Sequence, residues 1–136
     1  MTLRLVLKPG EILMLGRTRL TLVSQGNCTV LVDGSGPILR TQDYVEADDT
    51  ADPVARLRYV VQQIYLEDDA EARRAALGTA LDDVQAAFPA LQTELRRLRV
   101  AIAGGSLWEA VKICRRLGGQ AVSMPASDAP AARVSG

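Results

Sequence analysis

Asp52-Pro53-Val54-Ala55-Arg56-Leu57-Arg58-Tyr59-Val60-Val61-Gln62-Gln63-Ile64-Tyr65-Leu66 is the stretch at which the chain changes period. Asp52 is a capping residue placed ahead of a proline at the first helical position, where the missing amide hydrogen has no intrahelical partner to lose. Val54, Leu57, Val61, Ile64 and Tyr65 then fall on one face of a helix. Everything before this stretch reads with a period of two, and most of the chain after it reads with a helical one.

Upstream, Leu3-Arg4-Leu5-Val6-Leu7-Lys8 alternates as a strand with one buried face, and Pro9-Gly10 ends it. Glu11-Ile12-Leu13-Met14-Leu15 is a short apolar run closed by Gly16. Arg19-Leu20-Thr21-Leu22-Val23 alternates again, Gln25-Gly26-Asn27 reads as a hairpin turn, and Cys28-Thr29-Val30-Leu31-Val32 comes next as a strand. Asp33-Gly34-Ser35-Gly36-Pro37 closes it, and Ile38-Leu39-Arg40 is the last short strand. Four or five short strands with tight turns form a small antiparallel sheet or barrel. About 40 residues of sheet bury little apolar area alone, so this part must pack on something.

Downstream, Glu67-Asp68-Asp69 breaks the first helix, and Asp69 or a neighbour caps a second with its stripe at Leu77, Leu81, Val84 and Phe88. Pro89 opens a third, with Leu91, Leu95, Leu98 and Ile102 at the same spacing. Gly104-Gly105 ends it, and Ser106-x-x-Glu109 is a capping box for a fourth. Trp108, Val111, Cys114 and Leu117 line that helix, and Gly118-Gly119 is expected to stop it. The connections are short, so consecutive helices pack as antiparallel hairpins. The expected architecture is α+β: a small β subdomain over residues 1–45, a subdomain of about four helices over 46–119, and a disordered Ala/Ser/Pro tail over 120–136.

Composition narrows the function classes. The 136 residues are 48% apolar and 24% charged, values of an ordinary globular chain, while aromatics make up only 4%. No apolar run reaches the roughly 18 residues needed to span a bilayer, and the N-terminus lacks the layout of a signal peptide, which makes the cytoplasm the expected compartment. The chain has no His, so His-based acid–base catalysis, the Ser-His-Asp and Cys-His arrangements and His metal sites are excluded. Cys28 and Cys114 are too few for a zinc site, stand outside any C-x-x-C, and are expected to be small buried apolar residues. A Walker loop is absent. The one G-x-G, Gly34-Ser35-Gly36, runs straight into Pro37, where no helix starts. The paired acids Asp48-Asp49, Asp68-Asp69 and Asp82-Asp83 sit at expected helix boundaries, where acids cap and solvate. Neither an enzyme nor a bound cofactor is expected.

The zero net charge hides a pattern. Residues 1–45 carry Arg4, Lys8, Arg17, Arg19 and Arg40 against Glu11, Asp33 and Asp43, a balance of +2. Residues 46–83 balance at −6, and residues 94–116 at +4. Arg occurs fourteen times and Lys twice, and a guanidinium grips phosphate at two points and stacks on bases as an ammonium cannot. A small sheet carrying Arg is one design for a single-strand RNA platform, though base-stacking aromatics are missing from it before Tyr44. The plainer reading is that these cations are solvated outward positions, and that the acidic segment is a soluble helix face.

Leu5-Val6-Leu7-Lys8-Pro9-Gly10-Glu11, then Pro37-Ile38-Leu39-Arg40-Thr41-Gln42-Asp43, then the acidic linker Glu46 to Asp52 and the block Pro53–Leu66 form an ordered set. This set resembles the bacterial flagellum biosynthesis repressor family, FlbT. Leu107-Trp108-Glu109-Ala110-Val111-Lys112 is similar to that family's final helix. The resemblance implies post-transcriptional control of flagellin: action on the 5′ untranslated region of flagellin mRNA, lowering its translation and lifetime, although some members activate. It also implies the flagellar protein FlaF, or flagellin itself, as a protein ligand. More faintly, Gly10-Glu11-Ile12-Leu13-Met14-Leu15-Gly16 and Leu39-Arg40 with Asp43-Tyr44 resemble the carbon storage regulator proteins (CsrA/RsmA). Those form an interlocked β homodimer that grips an RNA loop between edge strands. That likeness makes Arg40 the first choice for an RNA contact, with Lys8 and the backbone around Leu5 to Leu7 opposite; Arg4, Arg17 and Arg19 are the further candidate contacts of the strand half. Pro9 departs from it by replacing a basic residue and removing a backbone donor.

Two functions are compatible with these readings. One is a repressor that binds flagellin mRNA through the β subdomain. The other is an adaptor that docks FlaF or flagellin through the helical half, by Leu95, Leu98 and Trp108, with only indirect effects on RNA.

Overall fold

The computed structural model describes residues 2–46 and 52–122; most of the acidic linker and the tail from Ser123 lie outside the described residues. Strands precede helices, so the fold is α+β as the change of period implies. The chain divides into two compact units, the first ending at Tyr44 and the second beginning at Val45.

In the first unit β1 (Thr2–Leu7), β2 (Ile12–Leu15), β3 (Thr18–Thr21), β4 (Cys28–Asp33) and β5 (Ile38–Arg40) make two small sheets rather than one. β1 pairs antiparallel with β4 alone, and β2 lies between β3 and β5, antiparallel to both. Gln25-Gly26-Asn27 is therefore not a hairpin turn. It belongs to a crossover that leaves one sheet after β3 and enters the other at β4. The tight hairpin is Gly16-Arg17, between the paired Leu15 and Thr18, with Gly16 at a φ of 62° as the first central residue of a type II′ turn requires.

Paired residues share a face, so the register sorts the side chains. Leu5 faces Val30 and Leu3 faces Val32 across the β1–β4 ribbon. Leu5, Leu7 and Leu13 form a buried cluster with Leu15, Leu22, Val30, Val32 and Ile38 around it, so the inner faces of the two sheets meet there. The other ribbon face carries Arg4, Val6, Thr29 and Leu31, with Val6 50% and Leu31 65% exposed. β2 is buried on both faces, Leu13 on one and Ile12 and Met14 on the other, which is why it reads as an unbroken apolar run. Cys28 is exposed, contrary to expectation, at the end of the ribbon opposite the buried Leu7.

In the second unit α1 (Pro53–Glu67) packs against both α2 (Arg74–Ala87) and α4 (Leu107–Val122), and α3 (Gln92–Ala103) packs against α4. Asp52 caps α1, its Oδ2 accepting the Ala55 amide at 3.3 Å. Val54, Leu57, Val61 and Ile64 are buried as the period implies. Leu66 and Gln62 are buried as well, which widens the covered surface of a helix with two neighbours. The Gln62 amide pairs with both backbone groups of Val45, accepting its N–H at 2.7 Å and donating to its carbonyl at 3.0 Å.

Two helix boundaries differ from the sequence reading. α2 begins at Arg74, not beside Asp69: Asp69 Oδ2 accepts from Arg73 Nε at 3.1 Å, and residues between them form a turn. α4 runs through Gly118-Gly119 to Val122 instead of stopping there, so the first residues of the expected tail are helical. Glycine weakens a helix interior by about 1 kcal/mol, a preference that tertiary packing overrides. Arg58 of α1 lies across Gly118, 3.2 Å from where a Cβ would stand, so the missing side chain makes room for it. Gly104-Gly105 does end α3, with Gly105 at a φ of 77°.

Candidate nucleic-acid interface

Lys8 is positioned by the turn Lys8-Pro9-Gly10-Glu11. Glu11 N–H donates to the Lys8 carbonyl at 3.0 Å, proline sits second, and Gly10 sits third at a φ of 84°, the pattern of a type II turn. The Glu11 carboxylate accepts the Lys8 N–H at 2.7 Å and locks the turn from the side. The Lys8 side chain is exposed at the end of β1.

Arg40 and Thr41 fasten the last strand. Arg40 Nη2 donates to the Val6 carbonyl at 3.2 Å, on a strand hydrogen-bonded along one edge only. Thr41 Oγ1 accepts the Ile12 N–H at 2.7 Å and donates to the Ile12 carbonyl at 3.0 Å, standing in for a peptide group where the β2–β5 ladder ends. Arg40 is half-buried, and part of its guanidinium holds β1 to β5.

The remaining cations lie on different surfaces. Arg4 is exposed on the outer face of β1, opposite Leu31. Arg17 is the second residue of the β2–β3 turn, also exposed. Arg19 shares its face of β3 with Met14, and its guanidinium sits 5.5 Å from the centre of the Tyr44 ring. Arg40 pairs with Leu13, on the opposite face of the same sheet. The structure thus brings Arg40 to β1, leaves Arg4, Lys8 and Arg17 exposed, and places Arg19 against an aromatic. Such a set can touch phosphates at several points around the unit, but it does not form one concentrated patch.

Thr41 was not singled out from the sequence, and Tyr44 was noted there without a role. Tyr44 stands out as the first aromatic of the chain, but its contact with Arg19, 25 residues upstream, leaves no local trace. Thr41 carries no signal, because its partner lies 29 residues away.

In the helical unit, Leu95 and Leu98 are fully buried within the bundle, and of the three residues offered for docking only Trp108, 42% exposed, reaches the surface. Its ring lies 5.5 Å from that of Tyr65 at 40°. Glu109 is bridged to Lys112 at 3.2 Å and to Arg116 at 3.6 Å, and these cations, Lys112 foremost, hold its carboxyl below the usual range. Burial pushes the Cys114 thiol up to about 12, against a smaller opposing pull from Arg58. Among the described residues no helix is long and apolar enough to cross a membrane, and no group of three His, Cys, Asp or Glu is placed to hold a metal ion.

Comparison with known proteins places this geometry. The family model described as "Flagellar protein FlbT" matches residues 3–119, spanning both units. Proteins from two strains of Rhodopseudomonas palustris, each named "Probable flagellum biosynthesis repressor protein FlbT", are 32% identical over 117 residues, covering 86% of this chain and 92% of theirs. "Probable flagellum biosynthesis repressor protein FlbT 1" of Bradyrhizobium diazoefficiens is 30% identical over 119 residues, covering 86% of this chain and 80% of its own. No solved structure matches. With the strand unit and the helical unit both inside one continuous match, the chain belongs to the FlbT family of flagellar proteins.

Proposed function

We propose that this chain restrains flagellum biosynthesis by binding the 5′ untranslated region of flagellin mRNA in the cytoplasm and lowering its translation and lifetime, without catalysing a reaction. The observation that carries the reading is the match over 86% of the chain to relatives whose names call them probable flagellum biosynthesis repressors. The messenger as target comes from the family resemblance. It is supported by the cations of the first unit, of which Arg4, Lys8 and Arg17 are exposed. Phosphate contacts would supply affinity, and backbone edges or arginine forks would read exposed bases in a loop.

A reporter fused to the flagellin leader tests this in cells. Supplying the chain is expected to lower reporter synthesis from that leader and not from an unrelated one. Equal output from both leaders would sink the messenger as target. Arg40→Glu is a poor probe of RNA contact, because it also cuts the tie to Val6. Arg4→Glu with Lys8→Glu changes the charge at exposed positions alone and is expected to relieve repression.

The adaptor reading has one observation in its favour, the half-exposed Trp108 beside Tyr65. It expects Trp108→Ala to abolish capture of FlaF or flagellin while Arg4→Glu with Lys8→Glu leaves capture intact.

A further inference from the structure

We propose that the principal phosphate-binding surface of this protein is the α3–α4 face of the helical unit, where it takes the backbone of single-stranded RNA; this rests on the RNA-binding reading above. Arg96, Arg97 and Arg99 project from α3, and Lys112, Arg115 and Arg116 from α4, two helices that pack on one another. All six are exposed. Between residues 94 and 116 the sequence sets only two carboxylates, Glu94 and Glu109, beside them. Lys112 and Arg116 share Glu109 while Arg99 pairs with Asp82, whereas in the first unit Arg40 is tied to Val6 and Arg19 lies against Tyr44. Of these six, Arg97 and Arg116 are brought together by the packing of α3 on α4, which fixes the two helix backbones from which they reach.

The face also has a shape. A groove of about 540 Å³ lies between the helices, with Arg97 on the α3 side, Arg116 and Gln120 on the α4 side, and Glu94 at its rim. Gly119 lines it without a side chain, and a Cβ there would meet nothing within 4 Å. Guanidinium forks on facing walls suit a chain of phosphates, which offers two acceptor oxygens per unit at a regular repeat. Lys112 and Arg116 share Glu109, an exposed bridge that dissolves readily when a denser anion approaches. Arg99 reaches Asp82 of α2 at 3.9 Å, so this cation, and Arg96 one turn before it, lie on the α2 side of α3 and outside the groove.

The test is binding of the full chain to the flagellin leader and to an unrelated leader across a salt series. For the variant Arg97→Gln with Arg116→Gln, affinity for both RNAs is expected to fall at least fivefold. The slope of log affinity against log salt is expected to shrink by about 1.4, two contacts at roughly 0.7 each. Gly119→Glu sets a carboxylate in open space within the groove, where the helix gains rather than loses, and is expected to weaken binding without unfolding. Glu94→Gln removes an anion from the rim and is expected to tighten binding about twofold, a gain that no misfolded variant could produce. An unchanged slope in the double variant, with wild-type binding intact, would overturn the α3–α4 site and leave the proposed function standing. No RNA binding by the wild-type chain would overturn both. Displacement of RNA by polyglutamate at equal charge would make the face a dock for acidic protein and overturn the assignment to RNA.

Discussion

Among the described residues the strand unit buries six apolar side chains and the helical unit eighteen, and the two units close their structures by different means. In the helical unit, Leu57, Ile64, Leu95, Leu98 and Leu117 are completely covered, and the backbone is satisfied inside each helix. The strand unit has short ladders and open edges, so side chains stand in for missing backbone partners: Glu11 on Lys8, Thr41 on Ile12, Arg40 on Val6. The contrast teaches where sequence change is felt. A lost methylene matters most in the bundle, and a lost hydroxyl or carboxylate matters most in the sheets. It also explains why the cations of the first unit are poorly placed to act as one surface, since part of their chemistry holds the fold.

Substitutions can break this comparison in order of size. Leu98→Ala removes a fully buried side chain from the bundle and is expected to lower unfolding free energy by about 3 kcal/mol, read by denaturant titration with helical circular dichroism. A loss below about 1 kcal/mol would show the bundle to be loosely packed. Gln62→Leu keeps the volume and leaves the N–H and carbonyl of Val45 without their partner, and about 2 kcal/mol is expected. Thr41→Val strips both bonds to Ile12 at constant shape. Its expected cost is about 1 kcal/mol, with faster hydrogen exchange at the Ile12 amide and unchanged protection in α1 and α3. If exchange accelerates equally in both units, they unfold as one and the contrast is lost.

The effect smallest at neutral pH concerns the cysteines. Cys28 is expected to react with a thiol reagent in the native protein, and Cys114 only after denaturation. Burial raises the Cys114 thiol from 9.0 to about 12 in the folded chain. The unfolded chain therefore releases this proton first, and stability falls as pH climbs from about 9 towards 12. Below that window the thiol is protonated in both states and contributes no slope. Cys114→Ala is expected to flatten the alkaline fall, which pH-dependent denaturant melts would show.

The strands and helices were legible because each arises from local alternation or period. Ile12 to Leu15 reads as a strand on its own, and Asp52-Pro53 announces α1. Strand partners were not legible. Whether Gln25-Gly26-Asn27 is a hairpin depends on β4 finding β1 across 20 or more residues, and no local turn signal encodes that choice. The end of α4 failed for a similar reason: glycine preference pointed to a stop at Gly118, and the Arg58 side chain from another helix fills the space it leaves. At the candidate site, the list of cations could be read directly. That Arg40 is tied to Val6, 34 residues away, and that Arg97 and Arg116 line one groove could not. Charge counts locate a basic segment; only packing decides which charges face the same way.

The most direct test of the central claim is binding of purified chain to the 5′ untranslated RNA of flagellin beside an unrelated leader, at low and moderate salt. Tighter binding to the flagellin leader, weakening steeply as salt rises, is the predicted result. Equal affinity for both leaders, or no binding at low salt, would contradict RNA recognition as the basis of its action and turn the search to protein partners.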